Sequence, residues 1–257
     1  MTEALFPEGA ALIVGGSGGV GQAVCREFAR AGTDIALTYH KKRDTAESLA
    51  QEIRALGRKA TVHQLTLGDA AGVEAVVGAA AAAHGRLHTA VVGAATLTTQ
   101  VLISELSAEQ WNTVVTQDLN GFFYVVRSTL QRFKDWGGGS YVHLGSGGHL
   151  AWPDRDVMSV APKAAIEALI TGIAKEEGRH NVRANTVLLG VIEAGMFLEL
   201  TRQGVFDDHW VKEVHKNLAL KRWGKPEEVA HACVFLASKR AAYVTGQRIA
   251  VAGGYGL

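Results

Sequence analysis

Residues 10–21 read AALIVGGSGGVG, and this stretch decides the fold. Its first part, Ala10–Gly15, is a short apolar run that predicts a buried strand, and a helical pattern follows over Gln22–Ala31. Glycines at a strand-to-helix turn let the backbone bend tightly and approach a pyrophosphate, while the helix N-terminus offers free N–H groups. The stretch therefore predicts a dinucleotide-binding βα unit of Rossmann type.

Two glycine spacings fit this turn. Gly16, Gly18 and Gly21 match G-x-G-x-x-G. Gly15, Gly19 and Gly21 match G-x-x-x-G-x-G. The other interpretation is a tight turn without a ligand, but the position between a strand and a helix favours phosphate binding. The residues predicted to contact a cofactor here are Gly15, Ser17, Gly18, Gly19, Val20 and Gly21.

Strand-like and helix-like runs alternate along the rest of the chain. Alternating β and α elements require parallel strands with right-handed crossovers, and hence a doubly wound sheet. The further predicted strands are Ile35–Tyr39, Ala60–Leu67, Thr89–Ala94, Ser140–Leu144, Val182–Leu188 and Arg248–Ala252, and the helices are Thr45–Leu56, Val73–His84, Glu109–Phe133, Ala164–Lys175 and Glu227–Leu236. We predict a single α/β domain over residues 1–257, with a Rossmann-type parallel sheet of about seven strands and helices on both faces.

Two stretches lack a regular pattern, namely Gly145–Ser159 and part of Val191–Trp223. Both follow predicted strands, and ligands bind beyond the carboxyl ends of strands in open parallel sheets. The second stretch, residues 191–223, is predicted to form a substrate lid. Met196–Leu198, Phe206 and Trp210 make it apolar and aromatic, which favours an apolar or acyl substrate. The alternative is that these side chains pack the lid onto the body or onto another subunit.

Composition argues against several classes of partner. The chain has a formal net charge of +1, so no overall field points to nucleic acid or to a membrane surface. The beginning, MTEALFPEGA, has neither a basic segment nor a long apolar run, which predicts no signal peptide. The two cysteines, Cys25 and Cys233, lie in helix-like segments, and a disulfide framework is not expected. We predict a soluble cytoplasmic protein with no metal site.

A basic turn follows the second predicted strand. A site that prefers NAD usually has an acid about 20 residues beyond the glycines, where it binds the ribose hydroxyls. That place is Tyr39 here, and His40, Lys41, Lys42 and Arg43 follow it. Cations at this place would bind a 2′-phosphate, so we predict NADP(H) over NAD(H), with a solvated basic turn as the alternative.

Further motifs identify a resemblance that extends over nearly the whole chain. The motifs are WNTVVTQDLNG at Trp111–Gly121, GSYVHLGS at Gly139–Ser146, the segment Lys163–Asn185, RWGKPEEVA at Arg222–Ala230, FLAS at Phe235–Ser238 and TGQRIAVAGG at Thr245–Gly254. With the glycine turn they resemble the short-chain dehydrogenase/reductase family, and in particular its ketoacyl-carrier-protein-reductase-like branch. The resemblance implies a nicotinamide cofactor, a small-molecule substrate and a homo-oligomer, commonly a tetramer.

The resemblance also assigns site residues, and one of them departs from the family pattern. Ser146 and Lys163 stand in register with the family's serine and lysine. The family's tyrosine lies four residues before the lysine, and that position is Ser159. The family's asparagine falls at Asp118. The remaining predicted cofactor contacts are His40, Lys41, Thr66, Leu67, Gly93, Ala94, Lys163 and Ile192.

A serine hydroxyl cannot replace a phenol, because an aliphatic alcohol is far less acidic than tyrosine, whose pKa is about 10. Ser159 also fits the N-cap of a helix that begins at Val160. His149 is a candidate proton donor, since histidine has the most suitable unperturbed pKa, although a loop histidine is usually only solvated. Asp156 stands where enoyl-carrier-protein reductases, within the wider family, have their tyrosine. The predicted catalytic residues are Ser146, Lys163, Ser159, Asp118 and His149.

Two functions remain open from the sequence. The first is an NADP(H)-dependent reductase of a carbonyl or conjugated enoyl compound with an atypical site. It is favoured because the 2,4-dienoyl-CoA reductases, which are active members of the wider family, also have serine four residues before the lysine. The alternative is a catalytically inactive relative with a binding or scaffolding role, which is favoured by departures from the family pattern at five cofactor or catalytic positions together, the tyrosine among them.

Overall fold

The computed structural model describes residues 4–98 and 100–257. Seven parallel strands form one sheet in the order β3-β2-β1-β4-β5-β6-β7. The strands are β1 (Ala10–Val14), β2 (Asp34–Tyr39), β3 (Ala60–Gln64), β4 (Leu87–Val92), β5 (Gly139–Ser146), β6 (Val182–Leu189) and β7 (Arg248–Val251). The order reverses between β1 and β4, where a doubly wound sheet opens a crevice. The predicted fold class is confirmed.

Nine α-helices are present in the described residues, and they cover both faces of the sheet. They are α1 (Gly19–Arg30), α2 (Arg43–Ala55), α3 (Ala70–His84), α4 (Ala108–Val114), α5 (Gly121–Asp135), α6 (Val157–Glu177), α7 (Gly195–Arg202), α8 (Asp208–Lys216) and α9 (Pro226–Ala237). One buried apolar cluster joins α1, α2 and α9 to the sheet, and a second joins α3, α5 and α6 to its other face. The core therefore lies in two layers with the sheet between them.

The predicted helix over Glu109–Phe133 is present, but it contains a π-helical segment. Helix α4 ends at Val114, six residues of π-helix follow over Val115–Asn120, and α5 begins at Gly121. A π-segment inserts extra backbone into a helix and is frequent at functional sites. It places Asp118, which is buried, toward the crevice at the end of β4.

Helix α6 begins three residues earlier than expected from an N-cap at Ser159. The N–H groups of Ser159 and Val160 both donate to the carbonyl oxygen of Asp156 at 3.0 Å, so the helix begins at Val157. The prediction that Ser159 caps this helix is therefore wrong, because Ser159 already lies in its first turn. By length and composition, Val157–His180 would also pass as a membrane span, but α6 packs on β5 and β6 as a layer of the α/β fold.

Much of the region predicted to be irregular is helical. Helices α7 and α8 lie within residues 191–223, and Asp207 caps α8 by accepting a hydrogen bond from the Trp210 N–H at 2.7 Å. Sequence periodicity misses such short helices because each has only two turns on which to show a pattern. Both helices border the crevice above the carboxyl ends of the strands.

Candidate active site

A cavity of about 1050 Å³ extends along the carboxyl ends of the central strands. Ligand sites typically measure about 300–1,000 Å³, so this cavity has room for a dinucleotide with a small substrate. Every residue predicted to contact the cofactor lines it, from the glycine turn and the basic turn to Ile192. Four of the predicted catalytic residues line it too, namely Ser146, Lys163, Ser159 and Asp118.

The glycine turn needs glycine for reasons of space. Gly15 has a φ of +86°, and a Cβ on it would lie 2.7 Å from the Ala94 nitrogen. A Cβ on Gly21 would lie 2.1 Å from the carbonyl oxygen of Gly15. The N-cap of α1 is Gly18, which has no side chain to bind the first N–H groups of the helix. These groups remain available to an anion, so the turn fits a pyrophosphate.

The basic turn forms the opposite end of the cavity. His40, Lys41 and Lys42 line it next to the end of β2, whereas Arg43 begins α2 and does not. Glu199 of α7 also lines the cavity, and its carboxylate is bound by Arg202 and Gln203. Those hydrogen bonds, and to a smaller extent the charge of Lys42, hold the pKa of Glu199 below its ordinary value.

Lys163 is the charged group at the substrate end. Its Nζ donates to the carbonyl oxygen of Ser159 at 3.3 Å. Burial lowers the pKa of Lys163, while the charges of Asp118 and Asp156 act in the opposite direction. Asp118 itself accepts hydrogen bonds from the N–H and the hydroxyl of Thr96 at 2.9 and 2.8 Å. Asp118 therefore fastens the loop after β4 and also acts on the lysine through space.

The two serines have different environments. Ser146 ends β5, and its hydroxyl oxygen accepts a hydrogen bond from the Gly148 N–H at 3.1 Å. Ser159 lines the cavity, but its backbone carbonyl, rather than its hydroxyl, contacts Lys163. The position of the family's tyrosine thus presents only a short side chain to the cavity.

His149 lies apart from these residues. Its Nδ1 pairs with the Glu167 carboxylate, and its Nε2 lies 2.9 Å from the carbonyl oxygen of Val160. Both ring nitrogens are engaged, and His149 does not line the cavity. The proposal of His149 as a proton donor to a substrate must therefore be corrected: the structure directs this ring into the body, where Glu167 is buried.

Two polar residues that were not chosen as catalytic do line the substrate end. The Asp156 carboxylate accepts a hydrogen bond from Gln100 Nε2 at 3.0 Å, and burial raises its pKa against the opposing effects of Gln100 and Lys163. Tyr255, near the C-terminus, donates its hydroxyl proton to the Ala151 carbonyl oxygen at 3.0 Å. The resemblance to enoyl-carrier-protein reductases marked Asp156, seven residues before Lys163, in the sequence, whereas no local signal marked Tyr255.

The lid presents a cluster of aromatic rings to the cavity. Phe206 and Trp210 stack with centroids 3.9 Å apart, and Phe197 lies against both at 5.8 and 6.2 Å. Trp223 closes the cluster behind Phe197 at 5.3 Å. Phe197, Phe206 and Trp210 line the cavity, so the substrate end has one apolar wall and one polar wall.

Comparison with known proteins agrees with this geometry. The family model described as Enoyl-(Acyl carrier protein) reductase matches residues 14–256. The chain is 34% identical to the uncharacterized oxidoreductase YgfF of Escherichia coli (strain K12), over 95% of this chain and 98% of that protein. The chain belongs to the short-chain dehydrogenase/reductase family. It is 32% identical to the 3-oxoacyl-acyl-carrier-protein reductase FabG of Aggregatibacter actinomycetemcomitans, over 95% of this chain and 97% of that protein.

Solved structures of short-chain dehydrogenases and related proteins superimpose closely on the chain. A short-chain type dehydrogenase/reductase from Mycobacterium ulcerans has a TM-score of 0.91 at 27% identity, over 98% of this chain and 90% of that one. A blue fluorescent protein from a metagenomic library, in complex with NADPH, has a TM-score of 0.88 at 26% identity, over 99% of this chain and all of that one. Short-chain dehydrogenases/reductases are oxidoreductases that use a nicotinamide cofactor on small-molecule substrates, and many form oligomers.

Proposed function

We propose that this short-chain dehydrogenase/reductase is an NADP(H)-dependent reductase of a carbonyl or conjugated enoyl compound. The observation on which the proposal depends is the continuous cavity that joins the basic turn, the glycine turn and the buried Lys163. The residues that would hold the cofactor are Gly15, Ser17, Gly18, Gly19, Val20, Gly21, His40, Lys41, Thr66, Leu67, Gly93, Ala94, Lys163 and Ile192. When bound, a nicotinamide supplies hydride.

The preference for NADP(H) is supported by charge. His40, Lys41 and Lys42 line one end of the cavity, and a 2′-phosphate there would accept charge-assisted hydrogen bonds. We expect NADPH to bind at least about tenfold more tightly than NADH, because one such bond contributes about 1.5–3 kcal/mol. Lys41→Gln should weaken NADPH by about tenfold and leave NADH unchanged, whereas Arg179→Gln, at an exposed turn outside the cavity, should change neither.

Fluorescence titration with the two cofactors tests this proposal. Equal affinity for NADPH and NADH would contradict the preference. Absence of any NADPH binding at millimolar concentration would contradict the reductase itself.

The chain's own residues suggest how a substrate would be held. The Ser146 hydroxyl, at the end of β5, would orient the carbonyl oxygen, and the Lys163 ammonium would bind the ribose beside it. The aromatic wall of Phe197, Phe206 and Trp210 supports an apolar or acyl substrate under a lid formed by residues 191–223. Turnover assays with keto and enoyl thioesters of increasing chain length test the substrate class, and a rate independent of chain length would contradict it.

We further propose that the protein forms a homo-oligomer, specifically a tetramer, in the cytoplasm. Helix α6 exposes the small residues Ala164, Ala168 and Thr171 on one side, and Phe123 of the neighbouring α5 is 46% exposed. Exposed apolar side chains of this kind are often covered by another subunit. Light scattering in solution tests the tetramer, and Phe123→Glu should favour smaller species. The two free cysteines are both buried, which accords with a reducing compartment.

The second candidate is a catalytically inactive relative that binds the nucleotide or a partner. Ser159 supports it, since a short alcohol stands where the family has its phenol. NADPH binding without turnover of any keto or enoyl thioester would select this candidate over the reductase.

A further inference from the structure

We propose that Asp156 is a catalytic residue, which donates the proton to the substrate oxygen in place of the phenol that position 159 lacks. The inference rests on the proposed reductase function. It concerns the substrate end of the cavity, where Asp156, Ser159, Lys163 and Tyr255 meet.

The Asp156 side chain is directed into the cavity and does not cap its own helix. An aspartate just before a helix normally accepts a hydrogen bond from an N–H of the first turn, which stabilises the helix by about 0.5–2 kcal/mol. The Asp156 side chain makes no such bond. It accepts a hydrogen bond from Gln100 Nε2 at 3.0 Å and lines the cavity. The helix thus forgoes a capping interaction, and a carboxyl group is presented to the substrate.

The surroundings of the Asp156 carboxyl favour its protonated form. Burial raises the pKa of Asp156, and the Gln100 hydrogen bond and the Lys163 charge oppose this only in part. The titratable groups that face it are Lys163 on the same helix and Tyr255 from the C-terminal segment, with Asp118 acting on Lys163 from the π-segment. A carboxyl with a raised pKa retains its proton to higher pH than a solvated aspartate, as a general acid requires.

The neighbouring candidates are less suited to give up a proton. The Tyr255 hydroxyl donates to the Ala151 carbonyl, and burial together with the Asp156 charge raises the pKa of this phenol. Lys163 donates to the Ser159 carbonyl, and the proposed function needs its charge at the ribose. Asp154, in the same loop, also borders the cavity, but it is exposed to solvent, whereas Asp156 is partly buried.

In the proposed step the substrate carbonyl group receives one proton and one hydride. The O–H bond of the Asp156 carboxyl breaks, and a new O–H bond forms on the substrate oxygen as its carbon receives the hydride supplied by the cofactor. The carbonyl π bond breaks, the product is an alcohol, and Asp156 is left as a carboxylate. Solvent at the cavity mouth returns the proton before the next turnover.

The pH profile of the Asp156→Asn variant tests this proposal. With NADPH and a substrate that the wild type reduces, we expect kcat to fall at least about 100-fold, while the Kd for NADPH stays within about twofold. The wild-type rate should decline as pH rises through the raised pKa of Asp156, and this alkaline decline should be absent from the residual activity of the variant. Asp154→Asn, the matched control, should keep the wild-type pH profile.

A measurement without turnover provides a second test. In apo protein with ¹³C-labelled aspartate, the carboxyl signal that disappears in Asp156→Asn should titrate above the ordinary aspartate pKa of about 3.9. Asp156→Glu should retain an alkaline decline at a shifted pH, which keeps the test usable if the asparagine variant folds poorly.

Three results would overturn the proposal. They are an Asp156→Asn rate within about threefold of wild type, against the factor expected for a general acid; an unshifted titration of the carboxyl; and loss of the alkaline decline in Tyr255→Phe instead. Each can occur while the wild type reduces its substrate with NADPH. Failure of the proposed function is a different result, in which the wild type itself binds no NADPH or reduces no substrate.

Discussion

A single added methyl group should have opposite effects at two glycines of the chain, Gly21 in the glycine turn and Gly78 in α3. At Gly21 a Cβ would lie 2.1 Å from the oxygen and 2.9 Å from the carbon of the Gly15 carbonyl, and 3.0 Å from the Gly16 Cα. All three atoms belong to the backbone, so no flexible side chain can move aside. Overpacking in a close-packed core costs about 1–3 kcal/mol, and we expect Gly21→Ala to reach at least the upper end of that range.

The matched control is Gly78→Ala. Gly78 lies inside α3, and its nearest neighbour to a Cβ would be the flexible guanidinium of Arg132 at 3.8 Å. Alanine is favoured over glycine in a helix interior by about 0.5–1 kcal/mol, so this variant should gain stability by about that amount.

Chemical denaturation and NADPH titration together check the pair. Gly21→Ala should lower the free energy of unfolding by about 3 kcal/mol and weaken NADPH, because the turn must open to admit the methyl group. Gly78→Ala should raise the free energy of unfolding and leave NADPH binding unchanged. If Gly21→Ala unfolds at the wild-type midpoint and binds NADPH equally well, then the conformation of the cofactor-binding turn does not depend on its close approach to α1.

Three further predictions concern other parts of the chain. Ser159→Tyr should increase carbonyl reduction, measured as kcat, if the surrounding site is intact; unchanged or lower rates would show that the cavity no longer accommodates a phenol there. Burial, with a smaller effect of Lys163, lowers the pKa of His143 to about 3. The unfolded state therefore protonates His143 at a higher pH than the folded state does, so the free energy of unfolding should fall as pH drops from about 6.5 toward about 3. His143→Leu should make that fall shallower in denaturation measured at pH 7 and pH 4, and an equally steep fall would refute the assignment. The Arg183 guanidinium donates hydrogen bonds to four backbone carbonyls at and after the end of α9. Arg183→Met should therefore lower the free energy of unfolding by about 2–4 kcal/mol. A loss under about 0.5 kcal/mol would show that water replaces these hydrogen bonds.

The local sequence determined the fold and one end of the site. AALIVGGSGGVG fixes a strand, a turn that only glycine can make, and a helix start, because these features depend on sterics within about ten residues of chain. The alternation of apolar strands and helices then leaves a parallel doubly wound sheet as the consistent arrangement. The resemblance to the family likewise placed Ser146 and Lys163, since both lie at fixed positions on a strand end and on the helix packed against it.

Only the tertiary structure decided which polar groups reach the substrate. His149 and Asp156 lie seven residues apart in one loop, and nothing local distinguishes their directions. His149 turns inward because the buried Glu167, one helical turn after Lys163, offers its ring a charged partner. Asp156 turns into the cavity because Gln100, 56 residues away in sequence, binds its carboxylate. The lid helices and the neighbouring Tyr255 are brought to the site in the same way, by packing between segments distant in the chain, which no spacing rule encodes.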